Sequence, residues 1–262
     1  MKLTQILNYP LKSGAGRVCS DAMVTPKGLD GDRRWMVVDE QGGFLTARTH
    51  PRMTLLYAES SAPGAIALRT NDADVTVAHA QAAPVSVTVW GDRCDALLAN
   101  DEAHHDLSNF LGTPCRLVYM PDSSRRVINA PSGLDDAEVS FADGYPILLV
   151  SEASLAELNR RLVKPVSMAR FRPNLVVDGV PAHGEDGWKR IRIGHVEFAC
   201  CDPCERCVLT TVDPRTGSFD SSGEPLRTLA TYRRHGKGVI FGMNIVPVNT
   251  GQIRRGQSVE IL

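Results

Sequence analysis

The sequence predicts a mainly β (α+β) protein with a few helices, on three observations. Apolar residues in the first ninety positions come in short, often alternating runs bounded by turn residues. Helical periodicity is confined to a few short later segments of the 262-residue chain. Those helices are too few and too irregularly placed for a βαβ series, which disfavours a Rossmann sheet or an eight-fold α/β barrel.

The elements follow in order. Arg34-WMVVD and Phe44-LTAR flank Glu40-Gln41-Gly42-Gly43, whose paired glycines can take the positive φ of a tight hairpin. Val85, Val87 and Val89 alternate with Ser86 and Thr88, the period-two mark of a half-buried strand. Asn100-Asp101 can cap a helix carrying Ala103, Leu107, Phe110 and Leu111 on one face, with Gly112 placed to end it. The apolar strand from Ile147 runs into a second helix, capped by Ser151 or Ser154, with Leu155, Leu158 and Leu162 at helical spacing. A third helix opens at Glu224-Pro225, where proline suits the first turn. Strands are expected to end near Val177, Ile193, Phe198 and Asp213, and a last one carries Val259 and Ile261. The polar stretch from Pro121 to Glu138 marks either a domain boundary or a functional loop over the site entrance.

Composition excludes several classes. Hydrophobic residues at 43% and charged residues at 23% place the chain among globular domains rather than disordered or collagenous ones. Lys plus Arg number 29 against 30 Asp plus Glu, which removes a bulk-charge argument for nucleic acid or an anionic membrane. Asn8, Pro10, Lys12 and Gly14 interrupt the N-terminus before a signal-peptide core can form, and no run reaches the roughly 18 apolar residues of a spanning helix. The expectation is a cytoplasmic protein that binds neither nucleic acid nor membrane.

Four of the seven cysteines, Cys200, Cys201, Cys204 and Cys207, fall within eight residues. Thiolates this dense suit a soft metal. A zinc finger needs a second ligand pair and none follows Cys207; ferredoxin spacing needs a cysteine where Thr211 stands. A radical-SAM loop would leave too little chain for its barrel. Small buried hydrophobes are the plainer reading of any one of them. His104-His105 are adjacent on a helix and cannot face one ion.

The surrounding residues narrow the choice. CERCVLTTVDPRTG from Cys204, FRPN from Phe171, YPLKS from Tyr9, GDRRWMVVD from Gly31 and FLTARTHP from Phe44 occur in order, with ILLVSEASLAELN, DGWKRIRIG and EPLRTLATYR. From Lys2 to Leu262 the chain resembles the family that joins a MOSC N-terminal β-barrel to a MOSC (molybdenum-cofactor-sulfurase C-terminal) domain, the family of amidoxime-reducing components and bacterial relatives. The resemblance implies two β-barrel-like domains, over residues 1–120 and 121–262, with molybdopterin in the cleft between them. By position in the RC[VI]LTTVDP motif, Cys207 is the implied metal ligand, and its neighbour Arg206 could hold it as thiolate unless strand alternation turns that side chain away. Lys12, Ser13, Arg33, Arg172 and Asn174 match cofactor-contacting positions, and Arg48 is a fourth candidate cation; for any one Arg alone, a solvated surface charge is the plainer reading. Asp143 matches an acidic position near the metal, although an Asp-Gly turn accounts for it as well. The implied activity is reduction of N-hydroxylated compounds by oxygen removal at molybdenum, with Cys207 and Asp143 at the reacting centre and electrons from a separate iron–sulfur or flavin protein. Two alternatives stay open: a sulfur-carrier or cofactor-handling module bearing a persulfide, and a non-catalytic zinc- or iron-binding cysteine loop.

Overall fold

Alternating burial organises two curved sheets. The structure is a computed structural model and describes residues 1–128, 134 and 136–262. The nine-stranded sheet runs Arg17–Cys19, Lys2–Asn8, Leu175–Asp178, Ile147–Ser151, Gly238–Pro247, Val196–Glu205, Arg190–Ile193 and Val259–Ile261, with Arg234–His235 added to Gly238–Pro247. It curls until its two ends meet: Leu3 N donates to Gln257 O (2.9 Å), Gly256 N donates to Leu3 O (2.7 Å), and Lys2 bridges Ser258. Leu3, Ile6, Phe198, Ile193 and Ile245 fill the inside. Thus the first two strands of the chain join a sheet otherwise built from its second half.

The six-stranded sheet runs Trp35–Val38, Arg116–Tyr119, Asp92–Ala99, Asp74–Val89, Ala65–Arg69 and Tyr57–Ala62. The Gly42–Gly43 turn forms as expected, with Gly42 at φ 83°, but the segment after it is not a full strand. Only Phe44 bridges Val38 and Gly43 bridges Thr88, so this stretch ties the first strand of the sheet to its middle. Val87 and Val89 point into the core with Met36, Val118 and Phe141.

Three α-helices occur among the described residues: Asp101–Leu111, Glu152–Arg161 and Leu226–Tyr232. Gly112 ends the first at φ 70°, a left-handed cap that glycine takes without a Cβ penalty. Asn100 does not cap with its side chain; its amide oxygen accepts from His79 N instead (2.9 Å). Ser151, not Ser154, caps the second helix, its hydroxyl accepting from Ser154 N (3.1 Å). This helix connects Ile147–Ser151 to its parallel neighbour Leu175–Asp178, a single βαβ unit within a mainly β fold. No helix among the described residues is long and apolar enough to cross a membrane. The Pro121–Glu138 stretch falls partly outside the described residues; within it Val127 bridges Glu138.

Candidate active site

The two sheets meet around a cleft of about 600 Å³, within the range typical of small-molecule sites. All eight side chains singled out from the sequence line it: Lys12, Ser13, Arg33, Arg48, Asp143, Arg172, Asn174 and Cys207. Each lies at a strand end or in a connection. Lys12 and Ser13 follow Lys2–Asn8, Arg33 precedes Trp35–Val38, Asp143 precedes Ile147–Ser151, Arg172 and Asn174 precede Leu175–Asp178, and Cys207 follows Val196–Glu205.

One hydrogen-bonded chain crosses the cleft. Arg48 donates from Nε to Cys207 Sγ (3.2 Å) and from Nη2 to Asp143 Oδ2 (2.6 Å), while Lys12 Nζ donates to Asp143 Oδ1 (2.5 Å) and to Phe141 O (2.7 Å). Trp90 Nε1 also donates to Asp143 Oδ1 (3.3 Å), and the Arg48 guanidinium lies 4.8 Å from the Trp90 ring centroid. Asp143 therefore serves as the shared counter-charge of two cations rather than as a turn former. Although desolvation opposes it, the charges of Lys12 and Arg48 hold its carboxyl well below the usual carboxylate range. Burial pushes the Lys12 ammonium down to about 8, with Asp143 opposing the shift.

A second network surrounds Tyr9. The Arg33 and Arg172 guanidiniums lie 4.3 and 4.4 Å from its ring centroid, on a side chain only 1% exposed. Desolvation pushes the Tyr9 phenol up to about 12 and the Arg172 guanidinium down to about 10, the latter assisted by Arg33. Arg33 Nη1 donates to Asp32 Oδ2 (2.5 Å) and Asn174 Oδ1 (2.9 Å). Asn174 spends its whole amide on the protein: Oδ1 also accepts from Leu148 N, and Nδ2 donates to Leu7 O and Asp32 Oδ1. It aims Arg33 from behind.

Backbone strain concentrates here. Ser13, Arg33, Trp90 and Arg172 have φ of 68°, 48°, 60° and 56°, four of the five non-glycine left-handed residues described. Such conformations cost about 1–3 kcal/mol each and gather at functional sites.

The cysteines do not converge. Cys200 is packed in the large-sheet core, where burial pushes its thiol up to about 12, and burial with Asp202 nearby pushes Cys201 up to about 11. No group of three or more metal-ligating side chains occurs among the described residues. Arg206 turns away from Cys207: Nη1 donates to Cys204 Sγ (2.9 Å) and Nη2 to Phe171 O (2.8 Å). The guanidinium at Cys207 belongs to Arg48, which the sequence suggested only as a phosphate-binding cation. Three aromatic residues of the site stand outside the sequence prediction: Tyr9, Trp90 and Tyr145, whose hydroxyl on the cleft wall donates to Asp202 Oδ2. Tyr9 lay inside the quoted YPLKS segment, whereas Trp90 and Tyr145 carry no local signal.

A family model described as the MOSC domain matches residues 136–260, and one described as the MOSC N-terminal beta barrel domain matches residues 1–114. The chain is 36% identical to mitochondrial amidoxime-reducing component 1 of Mus musculus over 280 residues, covering 99% of this chain and 82% of that protein. It is 34% identical to the Homo sapiens counterpart over 281 residues, with the same coverages. Mitochondrial amidoxime reducing component 2 of Rattus norvegicus is 36% identical over 284 residues, 98% of this chain and 82% of its own. These relatives overturn the cytoplasmic expectation, since each is named as mitochondrial. That expectation rested on the lack of a leader-like run, and a folded domain's sequence is silent about its compartment.

Proposed function

Because this chain belongs to the family that joins a MOSC N-terminal β-barrel to a MOSC domain, the family of the mitochondrial amidoxime-reducing components, we propose that it is a molybdenum-cofactor-dependent reductase of N-hydroxylated compounds. The observation that carries the reading is the Lys12–Asp143–Arg48–Cys207 chain, which presents one thiol to a cation-lined cleft.

The residues present fit such a group. Five Lys and Arg side chains line the cleft against three carboxylates, an excess that suits a bound polyanion. The buried Nε of Arg206, on the same wall, has no partner and offers a further donor. Cys207 Sγ would be the protein's ligand to molybdenum. Arg33, Arg172 and Lys12 would hold the phosphate and pterin, joined by Ser13, whose hydroxyl accepts from Ala47 N (3.1 Å) and keeps its proton to donate. When bound, the cofactor supplies the two-electron redox capacity that removes the substrate oxygen.

The chain's own groups do the rest. Arg48 fixes the Cys207 sulfur through one N–H, and Asp143 holds Arg48 in that pose. Lys12, its ammonium brought down to about 8 by burial, is the group placed to give up a proton at the cleft, while Asp143 stays ionised between it and Arg48. Conversion of an amidoxime to an amidine consumes two electrons and two protons and releases water. The electrons come from a separate iron–sulfur or flavin protein. Val208, next to Cys207 and 44% exposed, puts the ligand position close to the surface where such a donor can dock.

The test is elemental analysis with a reductase assay. Molybdenum near one atom per chain, pterin fluorescence on denaturation and reduction of benzamidoxime with an artificial donor are expected, and Cys207→Ser should lose metal and turnover together. Zinc or iron at that stoichiometry without pterin would refute the reading. A persulfide with no turnover would place the chain with sulfur carriers instead.

A further inference from the structure

Asp143 lies in a segment with no strand or helix to hold it. Residues 140–144 form only bends and Tyr145 no regular structure, and the backbone N–H groups of 140–145 make a single backbone bond, Phe141 N to Arg33 O (3.0 Å). What fixes the segment is cationic. Arg126 Nη1 donates to Ser140 O (3.1 Å) and Ala142 O (2.5 Å), and Nη2 donates to Asp143 O (2.8 Å). The intervening carbonyl, Phe141 O, is taken by Lys12 Nζ (2.7 Å). Four consecutive carbonyls are thus held by two buried cations.

Arg126 is fixed in turn. Its side chain is 4% exposed, its Nε donates to Asp92 Oδ2 (2.9 Å) at the start of strand Asp92–Ala99, and its own carbonyl accepts from Val139 N (2.9 Å). A buried guanidinium with all three nitrogens anchored, through four of its five N–H groups, is a rigid part, because its planar fork loses little on forming each bond. Through Asp92 it ties the segment to the six-stranded sheet.

We infer that Arg126 is a positioning residue: it places the Asp143 carboxylate between Lys12 and Arg48, and through Arg48 orients the Cys207 sulfur. This rests on the proposed function for its bearing on catalysis, but the placement itself does not depend on any cofactor. The route is Asp92, Arg126, the 140–143 carbonyls, Asp143, Arg48 and Cys207, and it joins the two sheets across the site. A role confined to stability would lower the melting temperature without acting specifically through Asp143.

Trp90 is a reporter for the distinction, since its Nε1 donates to Asp143 and its ring faces Arg48, while it is 55% exposed. Its fluorescence is isolated as the difference between each variant and the same variant carrying Trp90→Phe, in the full chain stripped of cofactor. Arg126→Lys should raise acrylamide quenching of Trp90 by the same factor as Asp143→Asn, and the double variant should go no further. On loaded enzyme, Arg126→Lys should lower kcat by about 10- to 100-fold, the scale of a misplacement of about 1 Å, again without adding to Asp143→Asn. Should Arg126→Lys fail to fold, Asp92→Asn removes the far anchor and should shift Trp90 in the same direction. Wild-type quenching in a variant of lowered melting temperature, or effects on turnover that multiply in the double variant, would overturn the inference. The quenching result stands whether or not molybdenum is found, so loss of one conclusion is distinguishable from loss of the other.

Discussion

The ammonium of Lys12 is the most exposed to test by pH. Its side chain is 4% exposed, and burial lowers its pKa from 10.5 to about 8 despite the adjacent Asp143. A base whose folded pKa lies below its unfolded value is penalised while both states are charged, below pH 8. Between pH 8 and 10.5 the unfolded chain binds the extra proton, so stability attributable to Lys12 rises with pH and levels off above. The shift corresponds to about 3 kcal/mol at ~1.4 kcal/mol per pH unit. Other groups titrate here in the opposite sense, among them Cys201 and Tyr9, whose folded pKa values are raised. The comparison is therefore with Lys12→Met, which retains them. Urea unfolding at half-unit steps from pH 5 to 10.5 should show wild type gaining on Lys12→Met, with most of the gain above pH 8. A difference that stays flat across that range would refute the burial argument, and a gain concentrated below pH 7 would reassign it to the carboxylates.

Two further substitutions probe the Tyr9 network. Asn174→Ala deletes four hydrogen bonds from a residue 1% exposed and leaves Arg33, Asp32 and two backbone groups short of partners; a loss of about 3 kcal/mol, read as a fall in melting temperature of roughly 6–12 °C, should accompany weaker cofactor retention in dialysis. Gly16→Ala would set a Cβ 2.4 Å from the Tyr9 ring, so the ring and the two guanidiniums against it must move. Overpacking of this kind costs about 1–3 kcal/mol, and molybdenum per chain should fall further than that loss of stability alone explains.

The sequence carried the mainly β class because period-two burial is local: Val85, Val87 and Val89 declare themselves without knowledge of any partner strand. Likewise Gly112 and Ser151 act within one turn of their helices. The closure of the large sheet was not legible, since Lys2 meets Ser258 through tertiary curvature that no window of residues records. The site divides along the same line. Its members could be named from motif fragments, but who pairs with whom could not. Strand alternation warned that Arg206 could turn away from Cys207, and it does, yet nothing near Arg48 showed that it would take that place. Arg126 stands at the far extreme, an arginine in a polar stretch that reads as solvated until four carbonyls in a row are seen to need cations. Unpaired buried carbonyls are costly, and a segment without ladder partners must find donors from other elements.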